Sequence, residues 1–166
     1  MNDSQANRKR TITWEDPIAV LQAGKSMSGI EYLKAMQAGE LPPPPIANLI
    51  GMWITEVSEG RVVFAMESAE YHYNPLGTVH GGIAATLLDS AMGCAVQSML
   101  PYGAGYTTLE LKINYLRAMT SRTGVVYCEG KIIHMGGRIA TAEGRLTDVS
   151  GKLYAHGTTT CILLRS

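Results

Sequence analysis

The chain has 166 residues, enough for a single domain whose hydrophobic core needs no disulfide or metal. Apolar residues make up 46% and charged residues only 17%, which excludes a disordered chain. Lys+Arg and Asp+Glu both number 14, so there is no basic excess for nucleic acid. The opening residues, MNDSQANRKRTITWEDP, lack the apolar run of a secretory signal, and every long uncharged run is broken by Pro, Gly, Asn or Gln. Cys94, Cys128 and Cys161 are odd in number and more than thirty residues apart, which excludes a CxxC site. The expectation is a cytoplasmic protein with reduced thiols, no nucleic-acid partner and no membrane partner.

In chain order, residues 1–16 are polar and expected to fray. Residues 17–38 carry helical signals: Pro17 can start one helix, and Ser28 can cap a second. In that second helix Ile30, Leu33 and Met36 or Gln37 share a face, and Gly39 can end it. Pro42–Pro45 then form a stiff connector of polyproline II type, so residues 1–45 are an N-terminal helical extension and 46–166 the main domain. Residues 46–57 and 61–68 are expected as two strands around the turn Ser58-Glu59-Gly60. After the loop YHYNPLGTVHGG, apolar residues at 83, 84, 87, 88, 91, 92, 95, 96 and 99 mark a helix over 83–99. Four further strands are expected at 105–116, 124–134, 138–148 and 153–164. In the first of them Leu109, Leu111, Ile113 and Tyr115 should share one face. One helix among about six strands joined by short turns is an α+β layout, with the helix filling the apolar face of an antiparallel sheet.

The chemistry concentrates between Tyr71 and Leu109, where Asp89 is the one formally charged side chain. Asp89 lies off the apolar stripe, on the helix face shared with Gly82, Ala85, Thr86, Gly93 and Gln97. A lone carboxylate there is either held by hydrogen bonds for structure or used chemically. At the helix start, His80-Gly81-Gly82 would let a ligand atom approach unpartnered first-turn N–H groups, a place for an anion or oxyanion, or else simply make a tight turn. Gly81 and Asp89 are eight residues apart, roughly 12 Å along a helix at ~1.5 Å per residue. One small reacting group cannot touch both in one chain, so a shared reaction centre would need a second subunit.

The run from Asn74 through His80-Gly81-Gly82 to Asp89 resembles the hotdog-fold acyl-CoA thioesterases of the phenylacetic acid degradation type, over roughly residues 46–164. The resemblance implies a curved antiparallel sheet wrapped around one long helix, paired into homodimers with active sites between subunits and often again into homotetramers. It implies Asp89 as catalytic carboxylate, Gly81 as backbone donor to the thioester carbonyl, Asn74 near the attacking water, and His80 at the loop or substrate. Gly82 belongs to the same helix start, and Thr107, or less readily Thr108, matches a hydroxyl that holds the water. Gly136, Gly137 and Arg138 resemble the loop near the nucleotide and pantetheine arm of coenzyme A. No separate cofactor and no metal are implied, since coenzyme A is part of the substrate.

One carboxylate and one oxyanion donor suffice for such a reaction, because a thiolate of conjugate-acid pKa ~8.5 leaves without a strong general acid. Asp89 would serve as general base or as nucleophile, on an aryl or medium-chain acyl group. Two other readings use the same fold: a non-catalytic acyl-CoA sensor, and a dehydratase of hydroxyacyl thioesters using His80 and Asp89.

Overall fold

The computed structural model describes residues 8–164. The N-terminal expectation of fraying falls partly on residues 1–7, outside the described residues. Residues 8–16 are pinned instead: Arg10 donates to the Asn48 carbonyl at 2.9 Å and lies over the Tyr71 ring, and Asn48 donates to the Thr13 carbonyl.

Helix α1 (Pro17–Gly24) starts where Asp16 accepts from the Ile18 N–H, with proline in the first turn. Helix α2 (Gly29–Gln37) starts on a capping box between Ser28 and Glu31. Helix α3 (Pro45–Ile50) replaces the first part of the strand expected at 46–57. Pro44 and Pro45 supply a helical φ with no N–H to satisfy, and Gly51 at φ 74° closes the turn in the left-handed region. The strand period took over only at β1 (Met52–Ser58), which pairs with β2 (Arg61–Glu67).

Helix α4 (Gly81–Gln97) is followed by four strands: β3 (Gly105–Tyr115), β4 (Val125–Met135), β5 (Ile139–Asp148) and β6 (Leu153–Leu164). All neighbours pair antiparallel in the order β1-β2-β4-β5-β6-β3, and α4 packs against β2 through β6. The sheet bends around the helix at register shifts in β1, β3, β4 and β6, as bulges do. Leu87, Leu88, Ala91, Met92, Ala95 and Val96 are fully buried in the core that results. β4 passes so close to α4 that a Cβ at Gly130 would run into the Ala91 carbonyl.

The bulge between Thr108 and Glu110 corrects the expected face of β3. Leu111 and Ile113 do meet the core, and Tyr115 keeps their face and touches the start of α4 at Gly81, but Leu109 is 55% exposed. One extra residue flips the side-chain alternation, so Tyr106 and Thr108 join the inner face before the bulge and Leu111 after it.

The sheet ends at two edges, β1 and β3, on the side of α4 it leaves open. Helix α2 lies there against β1 and α4. Leu33 enters the main core, the Gly29 N–H donates to the Leu100 carbonyl at 3.0 Å, and the Gln37 amide donates to the Thr55 carbonyl at 2.7 Å. No helix of the described residues is long and apolar enough to cross a membrane.

Candidate active site

Asp89 sits on the open face of α4, half-buried, and its Oδ1 accepts from the Thr108 hydroxyl at 2.9 Å. The hydroxyl beside the carboxylate is therefore that of Thr108; Thr107, the first choice from sequence, is exposed on the opposite face of β3. The physical reason is the strand alternation, which allows only one of two consecutive residues to face the helix.

Asp89 lines a cavity of about 620 Å³ whose walls come from α2, the proline run, α3, β1 and α4. Tyr106 closes part of it, and its hydroxyl lies where a side chain at position 93 would be, so Gly93 is what admits the ring. Cys94 faces the same cavity. Burial first, and the neighbouring Asp89 charge second, push its thiol up to about 12, which keeps it protonated and unsuited to nucleophilic work. The same burial holds the Tyr106 phenol neutral, with Cys94 and Asp89 adding to the effect.

At the start of α4, His80 is the N-cap, and its Nδ1 accepts from the Gly82 N–H at 2.8 Å. Gly82 is thereby occupied within the protein, and the Gly81 N–H remains at the helix start without a partner among the described residues. The Asn74 side chain turns into its own loop, where Oδ1 accepts from the Leu76 N–H at 2.9 Å and the Thr78 N–H at 3.3 Å. In one chain it shapes the segment that leads into His80 rather than reaching Asp89.

Gly81 lines a second, separate cavity of about 340 Å³ with Tyr115, Arg117, Met119 and Tyr154. The Tyr115 hydroxyl donates to the Gly81 carbonyl at 3.2 Å. Gly136, Gly137 and Arg138 form the β4–β5 turn at the far end of the sheet: the Arg138 carbonyl accepts from Leu163, near the Gly105–Leu164 pair, whereas Gly81 lies by the Tyr115–Ala155 pair. These pairs are about 30 Å apart at ~3.3 Å per strand residue, so one chain does not bring the turn and Gly81 together.

The sequence reading missed the cavity wall of the extension and the role of His72. That histidine is buried, accepts from the Ala69 N–H on Nδ1 and donates from Nε2 to the Ile50 carbonyl at 2.8 Å, tying α3 to the loop before α4. The signal for the wall was present in the Leu33 and Met36 face of α2, but nothing in that pattern says what the face covers.

A family model described as the thioesterase superfamily matches residues 76–155. The chain is 33% identical over 98 residues to acyl-coenzyme A thioesterase 13 of Mus musculus, covering 58% of this chain and 69% of that protein. It is 28% identical over 108 residues to a 1,4-dihydroxy-2-naphthoyl-CoA hydrolase of Listeria monocytogenes, covering 65% of this chain and 86% of that one. Among solved structures, a phenylacetic acid degradation-related protein from Ralstonia eutropha superposes with a TM-score of 0.72 at 29% identity. The superposition covers 98% of that chain and 79% of this one, so part of this chain has no counterpart there.

Proposed function

The chain belongs to the thioesterase superfamily and is a thioester hydrolase, and we propose that it cleaves acyl-CoA thioesters with Asp89 as catalytic carboxylate at a site shared by two copies. The observation that carries this reading is the Asp89 carboxylate, fixed through one oxygen by Thr108 at the end of a mostly apolar cavity. The other oxygen is left to take a proton from water. The water oxygen attacks the thioester carbonyl carbon, and the carbonyl oxygen takes up the negative charge opposite a helix-start N–H, Gly81. When the tetrahedral adduct collapses, the C–S bond breaks, the thiolate leaves with the electron pair, and the proton held by Asp89 neutralises it.

Gly81 and Asp89 open into different cavities of one protomer, so the oxyanion donor for Asp89 comes from a second copy. The β3 edge suits such pairing. It is an 11-residue strand without proline, paired on one side with β6 and on the other with no strand of the described residues, and it carries exposed Leu109 and Tyr115. Across that edge the helix start of one protomer, with His80 and Asn74, approaches the Asp89 of the other. The Gly136-Gly137-Arg138 turn lies at the end of the sheet where Ile162 pairs with both Ile139 and Thr107, and in this reading it meets the coenzyme A arm.

The test is thiol release from a panel of acyl-CoAs. Asp89→Asn is expected to lose about 10²–10⁴-fold in kcat/KM while keeping its thermal midpoint and oligomeric state. Undiminished turnover in the variant overturns the assignment. Co-expression of Asp89→Asn chains with Gly81→Val chains, each inactive alone, is expected to restore part of the turnover. Absence of restoration in proven mixed dimers overturns the shared site.

A further inference from the structure

We propose that the N-terminal extension together with the adjoining helix α3 is the acyl-specificity element of this enzyme, and that α2, the proline run and α3 select a medium-length aliphatic acyl chain. This rests on the reading of Asp89 as the catalytic carboxylate. The extension lies outside the stretch that matches the family model, yet it supplies much of the wall of the cavity that ends at Asp89. Tyr32 and Met36 of α2, Leu41 before the prolines and Ile46 of α3 face Trp53 and Phe64 of the sheet across that space.

Three features suit an aliphatic chain. The first is length. On α4 the lining runs from Asp89 to Gln97, roughly 12 Å at ~1.5 Å per residue. An extended hydrocarbon advances about 1.2 Å per bond, as the backbone does over its three bonds per residue, so about ten carbons fit that length and an aryl ring leaves much of it empty. The cavity, at about 620 Å³, is also ample for a ligand of that size. The second is the wall itself. Pro42, Pro43 and Pro44 line the cavity and have no N–H, so a segment without regular structure can face a hydrocarbon without presenting an unpaired donor. The third is neutrality beyond Asp89. Gln37 donates to the Thr55 carbonyl, and Cys94 and Tyr106 are held uncharged by burial.

The experiment measures kcat/KM of the full chain for straight-chain acyl-CoAs from butyryl to dodecanoyl and for phenylacetyl-CoA. It compares wild type with Met36→Trp and Ile46→Trp, which fill the cavity from α2 and from α3, and with Ile18→Trp on the outer face of α1, where Ile18 is 61% exposed. Wild type should prefer octanoyl- and decanoyl-CoA to butyryl- and phenylacetyl-CoA. Each methylene kept out of the cavity costs about fourfold, so both filling variants should lower the decanoyl-to-butyryl ratio more than tenfold, and Ile18→Trp should leave it in place. The inference is overturned if the ratio stays the same in a folded filling variant, moves as much in Ile18→Trp, or if phenylacetyl-CoA is the best substrate. If wild type cleaves no acyl-CoA at all, the proposed function fails separately. Trp53 emission in a Trp14→Phe chain, titrated with non-hydrolysable S-alkyl-CoA thioethers, then decides: a response that grows with alkyl length upholds the cavity as the chain site, and a flat response overturns it.

Discussion

The two faces of α4 have opposite designs. One face presses Leu87, Leu88, Ala91, Met92, Ala95 and Val96 into the sheet with no accessible surface left. The other carries Asp89, Ser90, Cys94 and Gln97 along a cavity closed by α2, the prolines and α3. Close packing on one side fixes the helix as a rigid rod. That rigidity is what allows the other side to keep empty volume and a carboxylate without the site collapsing.

The largest expected effects separate the faces most sharply. Asp89→Asn on the open face should cost about 10²–10⁴-fold in turnover and leave the urea midpoint of unfolding within error, because the amide still accepts from Thr108. A large loss of stability in this variant would show that the carboxylate is a structural anchor and break the contrast. Gly130→Ala on the closed face should do the reverse in kind, lowering stability by about 3 kcal/mol, because the added methyl meets the Ala91 carbonyl, which is backbone and cannot swing away.

A smaller effect concerns how the open face is roofed. His72→Ala should lose about 2 kcal/mol by chemical denaturation, since the Ile50 carbonyl at the end of α3 loses its donor. Burial, with Arg10 nearby, holds the His72 imidazole below its ordinary value of 6.5. The folded state therefore keeps the neutral form while the unfolded chain takes up a proton as pH falls through 6.5. The contribution is full above about pH 6.5 and declines below it, so the thermal midpoint of wild type should drop between pH 7 and pH 5, and less so in His72→Gln. The smallest effect is that of Thr108→Val, expected to reduce kcat/KM about tenfold with little change in fold. The variant removes one hydrogen bond to a charged oxygen and keeps the shape of the side chain. An equal loss in Thr107→Val would contradict the inward orientation of Thr108.

Much of this was legible in the sequence where the signal is local. The helical period over 83–99, the strands flanked by glycine turns, the helix start at Pro17 and the capping residue Ser28 each act through neighbours within a few positions. Asp89 stood out because a charge on an otherwise uncharged stretch is conspicuous whatever the fold. The misread places have a physical cause in common. Residues 46–50 fit either period when read as a short apolar run, and Pro44, Pro45 and Gly51 decided for a helix. Thr107 and Thr108 are equivalent in sequence until a bulge one residue later settles which of them points inward.

The sequence by itself determined the elements other than α3, the core face of α4 and the identity of the isolated carboxylate, because periodicity and composition are properties of neighbouring residues. Only the tertiary structure decided that Gly81 and Asp89 open into separate cavities, that Gly82 is taken up by His80, and that the proline-bearing extension walls the space beside Asp89. Those relations join residues dozens of positions apart. They are set by how far the sheet curls around the helix before its edges leave a gap, which no short-range pattern encodes.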